Sequence, residues 1–442
     1  MPDSFRRVLL GLALGAALVL TPHAPAFAAE ATDEHAEGAE PPAAQKTRKQ
    51  LREERLKFAI RPRASKAFAR TRESIDAERW ADAESALGRL RLDKLGAHER
   101  AQAHRLYGYI AYGQGKNDDA ILALRRALAE DALTESDRAD VLFQIAQIQG
   151  VERRWTDSIA TLEQWFESVE RPNPVGYFLL ALAHFQLEDL EAALLPAKKA
   201  VQISEVPQQA WLQLLLAIHL TQKDYAAATP VLDRLLALYP SAGKGYWVQL
   251  SALYGVTGDN DRALGVLEIA YRKGLLTEDA DLRRLLQLML LRGIPYRAAS
   301  IFEKEIQDQR IHEDVEAFEL LGISWILARD ATRAEEPLAR AAALAPKGDL
   351  YVRLAQVHLL QEEWKEAAAA LRKGLDKGGL ADPGGAQLML GIAYYNEHRL
   401  REARSSFALA QQWGGTKQQA ASWIEHIDRE LQASQAIAGA AG

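Results

Sequence analysis

The sequence predicts an all-α solenoid of about ten helix hairpins closed by a capping helix, and three observations predict it. A small residue returns at one site every 33 to 38 positions, from Ala83 to Ala403. Around that site the apolar residues fall at helical rather than alternating spacing. A pair of short amphipathic helices cannot hide its apolar side alone, so successive hairpins must stack.

The first residues read as an export signal. Arg6 and Arg7 precede an apolar or Gly run from Val8 to Leu20, broken by Pro22 and Pro25, and Ala26-Phe27-Ala28 offers a small-residue cleavage site. The run is short for a transmembrane helix, so a cleaved signal over 1–28 is expected, with a retained anchor as the alternative. The Arg6-Arg7 pair alone does not make a twin-arginine signal, and the general secretory route is the expected one. The chain has no Cys, which excludes disulfides, thiolate metal sites and an N-terminal lipid anchor.

Residues 29–63 form an acidic-then-basic lead-in. Glu30, Asp33, Glu34, Glu37 and Glu40 sit in an Ala- and Pro-rich stretch suited to a flexible linker. Eight Lys and Arg then crowd Lys46 to Arg63. They form either a solvated lead-in helix or a docking segment for an acidic partner or anionic surface.

Ten hairpins follow over 64–415. The recurring small site is Ala83, Ala120, Ser158, Ala193, Ala228, Ala263, Ala299, Ala334, Ala367 and Ala403. Twelve positions earlier stand Gly108, Ala146, Ala181, Ser251, Gly322, Ala355 and Gly391; four positions later Leu87, Leu124, Leu162, Leu232, Leu267, Leu338, Leu371 and Phe407. Trp80, Trp155, Tyr225, Tyr296 and Trp364 recur three positions before the site, and Pro240 and Pro346 close two hairpins. This pattern resembles the tetratricopeptide repeat, and the resemblance implies a right-handed superhelix. Small residues let two helices approach closely and the larger ones fill the space around them. A capping helix is expected over 416–434, with Trp423, Ile424 and Ile427 inward, before a disordered tail at 435–442.

Enzyme chemistry finds no support. No phosphate-binding Gly-x-x-x-x-Gly-Lys-Ser/Thr loop and no Gly-x-Ser-x-Gly elbow occurs. His312-Glu313 lacks the second His of a zinc-protease helix. His184, His219 and His358 occupy a site where the repeat often has Tyr, and repeats about 10 Å apart cannot bring such histidines onto one zinc ion. No metal, cofactor or small-molecule substrate is therefore expected. Asp118-Asp119 and Glu335-Glu336 are read as acidic pairs at second-helix starts, where the helix dipole favours them. The net charge of -6 argues against a nucleic-acid partner.

Protein binding is the expected activity. The first helices of such repeats line a concave face, and the pattern places Tyr109, Tyr112, Phe178, Leu182, Phe185, Gln213, Leu220, Arg284, Leu288, Glu319, Ile323 and Ile326 on or near it. Aromatic and aliphatic groups with a few polar ones suit an extended peptide or an amphipathic helix, unless they only pack between neighbouring repeats. The Lys, Arg and Asn cluster that captures chaperone C-termini is missing.

Residues 244–306 are the most distinctive, with Gly245-Tyr246-Trp247-Val248-Gln249-Leu250, Gly274-Leu275-Leu276-Thr277 and Gly293-Ile294-Pro295-Tyr296-Arg297-Ala298-Ala299. They resemble periplasmic tetratricopeptide proteins associated with TonB, ExbB and ExbD energy-transduction systems. That resemblance implies a periplasmic scaffold, peripheral to the inner-membrane complex and accessory to outer-membrane transport. The alternative is a general periplasmic assembly factor or chaperone for envelope or secretion complexes.

Overall fold

The computed structural model describes residues 57–440, with side chains to Ala433. The expected signal at 1–28, and the lead-in up to residue 56, lie outside the described residues. The described chain is helical throughout, without strands, and forms two compact bodies that divide between Ala242 and Gly243.

The N-terminal body holds five hairpins. They are α1 (Pro62–Asp76) with α2 (Trp80–Gly88), α3 (Ala97–Gly113) with α4 (Asn117–Ala129), α5 (Glu135–Val151) with α6 (Trp155–Ser168), α7 (Pro174–Gln186) with α8 (Leu190–Ile203), and α9 (Gln209–Thr221) with α10 (Tyr225–Leu238). The C-terminal body holds α11 (Lys244–Val256) with α12 (Asn260–Arg272), α13 (Asp279–Leu291) with α14 (Pro295–Gln307), and α15 (Val315–Leu327) with α16 (Ala331–Leu344). It continues with α17 (Asp349–Leu360) and α18 (Trp364–Lys377), then α19 (Pro383–Asn396) and α20 (Leu400–Ala410), and ends on α21 (Lys417–Ala440). Within each body, every helix packs on its neighbours in sequence.

The recurring small site falls on the second helix of every hairpin and is 0–2% exposed in all ten. Its partner four residues on is buried wherever the sequence has Leu or Phe there. The facing first-helix site explains why both must be as they are. A methyl group on Gly108 would lie 2.7 Å from Leu124, one on Gly322 2.6 Å from Leu338, and one on Gly391 2.6 Å from Phe407. Where the residue is Ser, its hydroxyl is spent on the opposite helix: Ser158 Oγ donates to Ala146 O and Ser251 Oγ to Ala263 O, both at 2.9 Å.

Each hairpin turns through one residue of positive φ, five positions before the small site: Glu78, Gly115, Arg153, Glu188, Lys223, Gly258, Gly293, Arg329, Glu362 and His398. Around it run the bonds of a helix C-cap, such as Lys223 N to Leu220 O at 3.1 Å and Asp224 N to His219 O at 2.9 Å. This landmark corrects one register. Gly293 places the seventh small site at Ala298, not Ala299, so Phe302, fully buried, takes the following large site. Tyr296 accordingly leaves the aromatic site, where Trp80, Trp155, Tyr225 and Trp364 are half-buried, and is 59% exposed.

The last helix also corrects an expectation. It runs to Ala440, beyond the Ser434 limit, because the Ala-rich stretch expected to fray is made of the strongest helix former. The division into two bodies was not anticipated. It follows Pro240 and falls at Gly243, whose φ of 115° an L side chain rarely adopts.

Candidate protein-binding face

In the N-terminal body the first helices α3 and α5 are joined by a polar network. Arg105, 7% exposed at its side chain, pairs with Asp137 and reaches Asp140 at 3.1 Å and the Tyr109 hydroxyl at 2.5 Å. Gln102 donates to Asp137 at 2.8 Å and Gln144 to Tyr109 at 3.0 Å. Burial pushes the Asp140 carboxyl above its ordinary value. Tyr109 is thus held inside a network. Tyr112 packs on the Ala120–Ile121 cluster, and Phe185 is half-buried. Phe178, Leu182, Gln213 and Leu220 are buried, Phe178 with its ring 6.2 Å from Trp211. Being buried, these four offer a ligand little surface, and the Phe178 ring is taken up by the next hairpin.

The C-terminal body is arranged differently. The charged groups of its first helices lie toward the helix starts, and several are paired there. Arg283, 12% exposed, binds Asp279 and lies 2.9 Å from Asp314, and its hydrogen bond holds the Asp279 carboxyl below the usual range. Glu319 meets Arg353 at 2.6 Å. At the opposite ends of the same helices, the last residues of α11, α13, α15 and α17 are aliphatic and open: Val256 66%, Leu291 64%, Leu327 55% and Leu360 76% exposed. Half-buried Leu290, Ile326 and Leu359 precede three of them. Ile323 and Leu288 are also half-buried, and Arg284 is exposed.

Four consecutive hairpins therefore present an aliphatic side chain at one repeat site, seven residues before the small one. Neighbouring helices sit roughly 10 Å apart, so the row spans about 30 Å. A single exposed Leu is ordinary; a ladder of them in register is not. Sequence reasoning missed all four. Counting from Ala299 puts Arg292 in the row, and counting from Ala298 puts Leu291 there. The positive-φ turn at Gly293 brings Leu291 into the row; the other three already stood in register.

The three repeat-site histidines sit beside the acidic residue that opens the second helix of their own hairpin. The imidazole-to-carboxylate distances are 3.7 Å for His184–Asp189, 3.5 Å for His219–Asp224 and 2.6 Å for His358–Glu363. Tyr254 and Tyr394 occupy the same site in other hairpins. Burial lowers the His219 pKa. His312 and Glu313 serve local contacts: the His312 amide donates to Asp279 at 3.0 Å, and Glu313 meets Arg340 at 2.5 Å. Asp118 and Asp119 lie in the first turn of α4 as expected. Glu335 and Glu336 do not lie at a helix start. They stand in the second turn of α16, past its terminal amides, and Asp330 caps that helix instead, accepting from Arg333 N at 3.1 Å.

Comparison with known proteins finds the tetratricopeptide repeat at residues 68–133, the stretch from α1 through α4. No curated protein matches the chain. Similar solved structures include a tetratricopeptide repeat protein from Parabacteroides merdae, 12% identical with a TM-score of 0.36, covering 67% of this chain and 99% of its own. MamA is 17% identical with a TM-score of 0.33, over 38% of this chain and 94% of its own. YrrB, described as a tetratricopeptide protein with an unusual peptide-binding site, is 18% identical with a TM-score of 0.31, over 40% of this chain and 89% of its own.

Proposed function

From a tetratricopeptide-type α-solenoid whose C-terminal body exposes an aliphatic row, we propose a protein-binding scaffold that captures a partner segment along Val256, Leu291, Leu327 and Leu360. That row is the observation that carries the reading. Its spacing of about 10 Å matches an amphipathic helix offering aliphatic residues at i and i+7, each 1.5 Å of rise per residue. Burying one Leu or Val of the row contributes about 1.5–3 kcal/mol at full burial. Two such residues account for a hundredfold in affinity or more.

The finer proposal is a periplasmic accessory of a TonB-type energy-transduction complex. Its support is the resemblance of residues 244–306, which span α11 to α14 and supply Val256 and Leu291 to the row. Purified TonB, ExbB and ExbD periplasmic segments are to be titrated into the chain and into a Leu327→Asp/Leu360→Asp variant. Nanomolar-to-micromolar binding by the chain, weakened at least tenfold in the variant, is expected. Absence of binding to all three ends the TonB assignment. Capture of unfolded or secreted polypeptide through the same row would instead favour the general assembly-factor reading.

A further inference from the structure

We propose that Glu335, His358 and Glu363 form a site for one divalent transition-metal ion of the zinc class, set between the eighth and ninth hairpins. The three come from three elements of the C-terminal body: the second turn of α16, the end of α17 and the residue before α18. One potential ligand atom from each lies within 4.8 Å of the other two. Zinc binds imidazole nitrogen and carboxylate oxygen at about 2.0–2.2 Å, which sets tetrahedral donors about 3.3–3.5 Å apart. To reach that spacing the His358–Glu363 pair, hydrogen-bonded at 2.6 Å, opens by about 1 Å, and the Glu335 carboxylate closes by at most about 1.5 Å, both within reach of a carboxylate rotation. An imidazole with two carboxylates suits zinc or a neighbouring first-row ion better than calcium, which takes six to eight oxygens.

The carboxylate from the preceding hairpin is oriented before any ion arrives. Gln361 Nε2 donates to Glu335 at 2.7 Å, and Gln361 Oε1 accepts from Thr332 Oγ1 at 3.1 Å. Such outer contacts are what fix a metal ligand's direction. His358 is 12% exposed and Glu363 40%, so the imidazole is sheltered while one side stays open to water as a fourth ligand.

The repeat supplies its own controls. His184 with Asp189 and His219 with Asp224 reproduce the imidazole–carboxylate pair, but the site equivalent to Glu335 in the preceding hairpin is Ile159 or Leu194. The pair is thus a feature of the turn, and only the ninth hairpin's pair meets a third ligand, Glu335 of the eighth. Repeat-spaced histidines lie too far apart to share an ion, but here the complementing group is a glutamate. An ion here would pin two successive hairpins together, independently of the aliphatic row.

Zinc chloride titrated calorimetrically into the full chain tests this. One equivalent is expected, with at least tenfold weaker binding in Glu335→Leu and in His358→Tyr and no change in His184→Tyr. Both site variants introduce residue types the repeat already uses at those positions, so helix content should stay constant by circular dichroism. Zinc should also raise the melting midpoint of the chain and leave both site variants unmoved. No binding at all, undiminished affinity in either site variant, or loss of binding in His184→Tyr overturns the site.

Discussion

Seven residues before the small site, the C-terminal body carries Val256, Leu291, Leu327 and Leu360 in four successive hairpins and Asn396 in its last, while the N-terminal body carries Asp76, Gly113, Val151, Gln186 and Thr221. The two bodies share every packing site: small against large between the helices of a hairpin, and a positive-φ turn to join them. They part at the sites that packing leaves free. In the N-terminal body, polar groups of adjacent first helices satisfy one another around Arg105. In the C-terminal body, paired charges keep to one end of the first helices and aliphatic surface to the other. A repeat scaffold thus fixes its interior and specialises at its rim, where function is grafted without cost to the fold.

The largest effect expected in breaking this contrast is Arg105→Met. It removes the cation between Asp137 and Asp140 and strips the Tyr109 hydroxyl of a donor. Losing one partner of a fully buried pair costs about 3–5 kcal/mol; with Asp140 46% exposed, about 2–3 kcal/mol is expected. Urea denaturation measures it. Binding along the aliphatic row should survive, and its loss would show that the row does not act alone.

Overpacking comes next. Ala263→Leu crowds a site that is 1% exposed, and Gly322→Ala drives a methyl against Leu338. Each should destabilise by about 1–3 kcal/mol in thermal or chemical unfolding. Gly255, in the same body and with nothing near its missing Cβ, is the control. Gly255→Ala should stabilise α11 by up to about 1 kcal/mol. A neutral Ala263→Leu would contradict the assigned register.

That register was legible because small and large residues must alternate across a close helix contact, which no other spacing satisfies. Ala298 and Ala299 are adjacent and both fully buried, so composition could not separate them, and Tyr296 lay where an aromatic belonged. Only the turn at Gly293 decides between them. The lining residues were harder to read. Phe178, Leu182 and Leu220 carry the residue types of a groove, but all three are buried, Phe178 against Trp211 of the next hairpin. The Arg105–Asp137 pair and the approach of Glu335 to His358 join residues on neighbouring hairpins, and no local pattern encodes such contacts.

A smaller effect belongs to the N-terminal body alone. Arg61 ties the start of α1 to Glu99 of α3 through Nε at 2.9 and 3.0 Å, and Gly96 N adds a bond at 2.9 Å. The Arg61 guanidinium holds the Glu99 carboxyl down to about 2, below its ordinary 4.5. A lowered carboxyl pKa stabilises the fold above pH 4.5, and that contribution is lost as the pH falls toward 2. Arg61 is largely exposed, so solvent screening leaves about 1–2 kcal/mol. Glu99→Gln should lower stability by that amount at pH 7 and converge with the unaltered chain near pH 2. A constant difference across that range would assign the effect to packing.

The smallest effect compares the turns themselves. Lys223 in the N-terminal body and Arg329 in the C-terminal body hold φ at 59° and 60°. Their turns carry the same bonds: Lys223 N to Leu220 O at 3.1 Å and Asp224 N to His219 O at 2.9 Å, against Arg329 N to Ile326 O and Asp330 N to Trp325 O, both at 2.9 Å. A side chain in that conformation meets its own backbone, whereas Gly adopts it freely and loses more chain entropy on folding. The balance favours Gly, so Lys223→Gly and Arg329→Gly should each stabilise by about 0.5–1 kcal/mol, read as a raised melting midpoint. Equal gains are expected because this turn is a packing site common to both bodies. A gain at Lys223 with a loss at Arg329, two residues beyond Leu327, would mean that the row constrains the turn beneath it and that rim and interior are not separable.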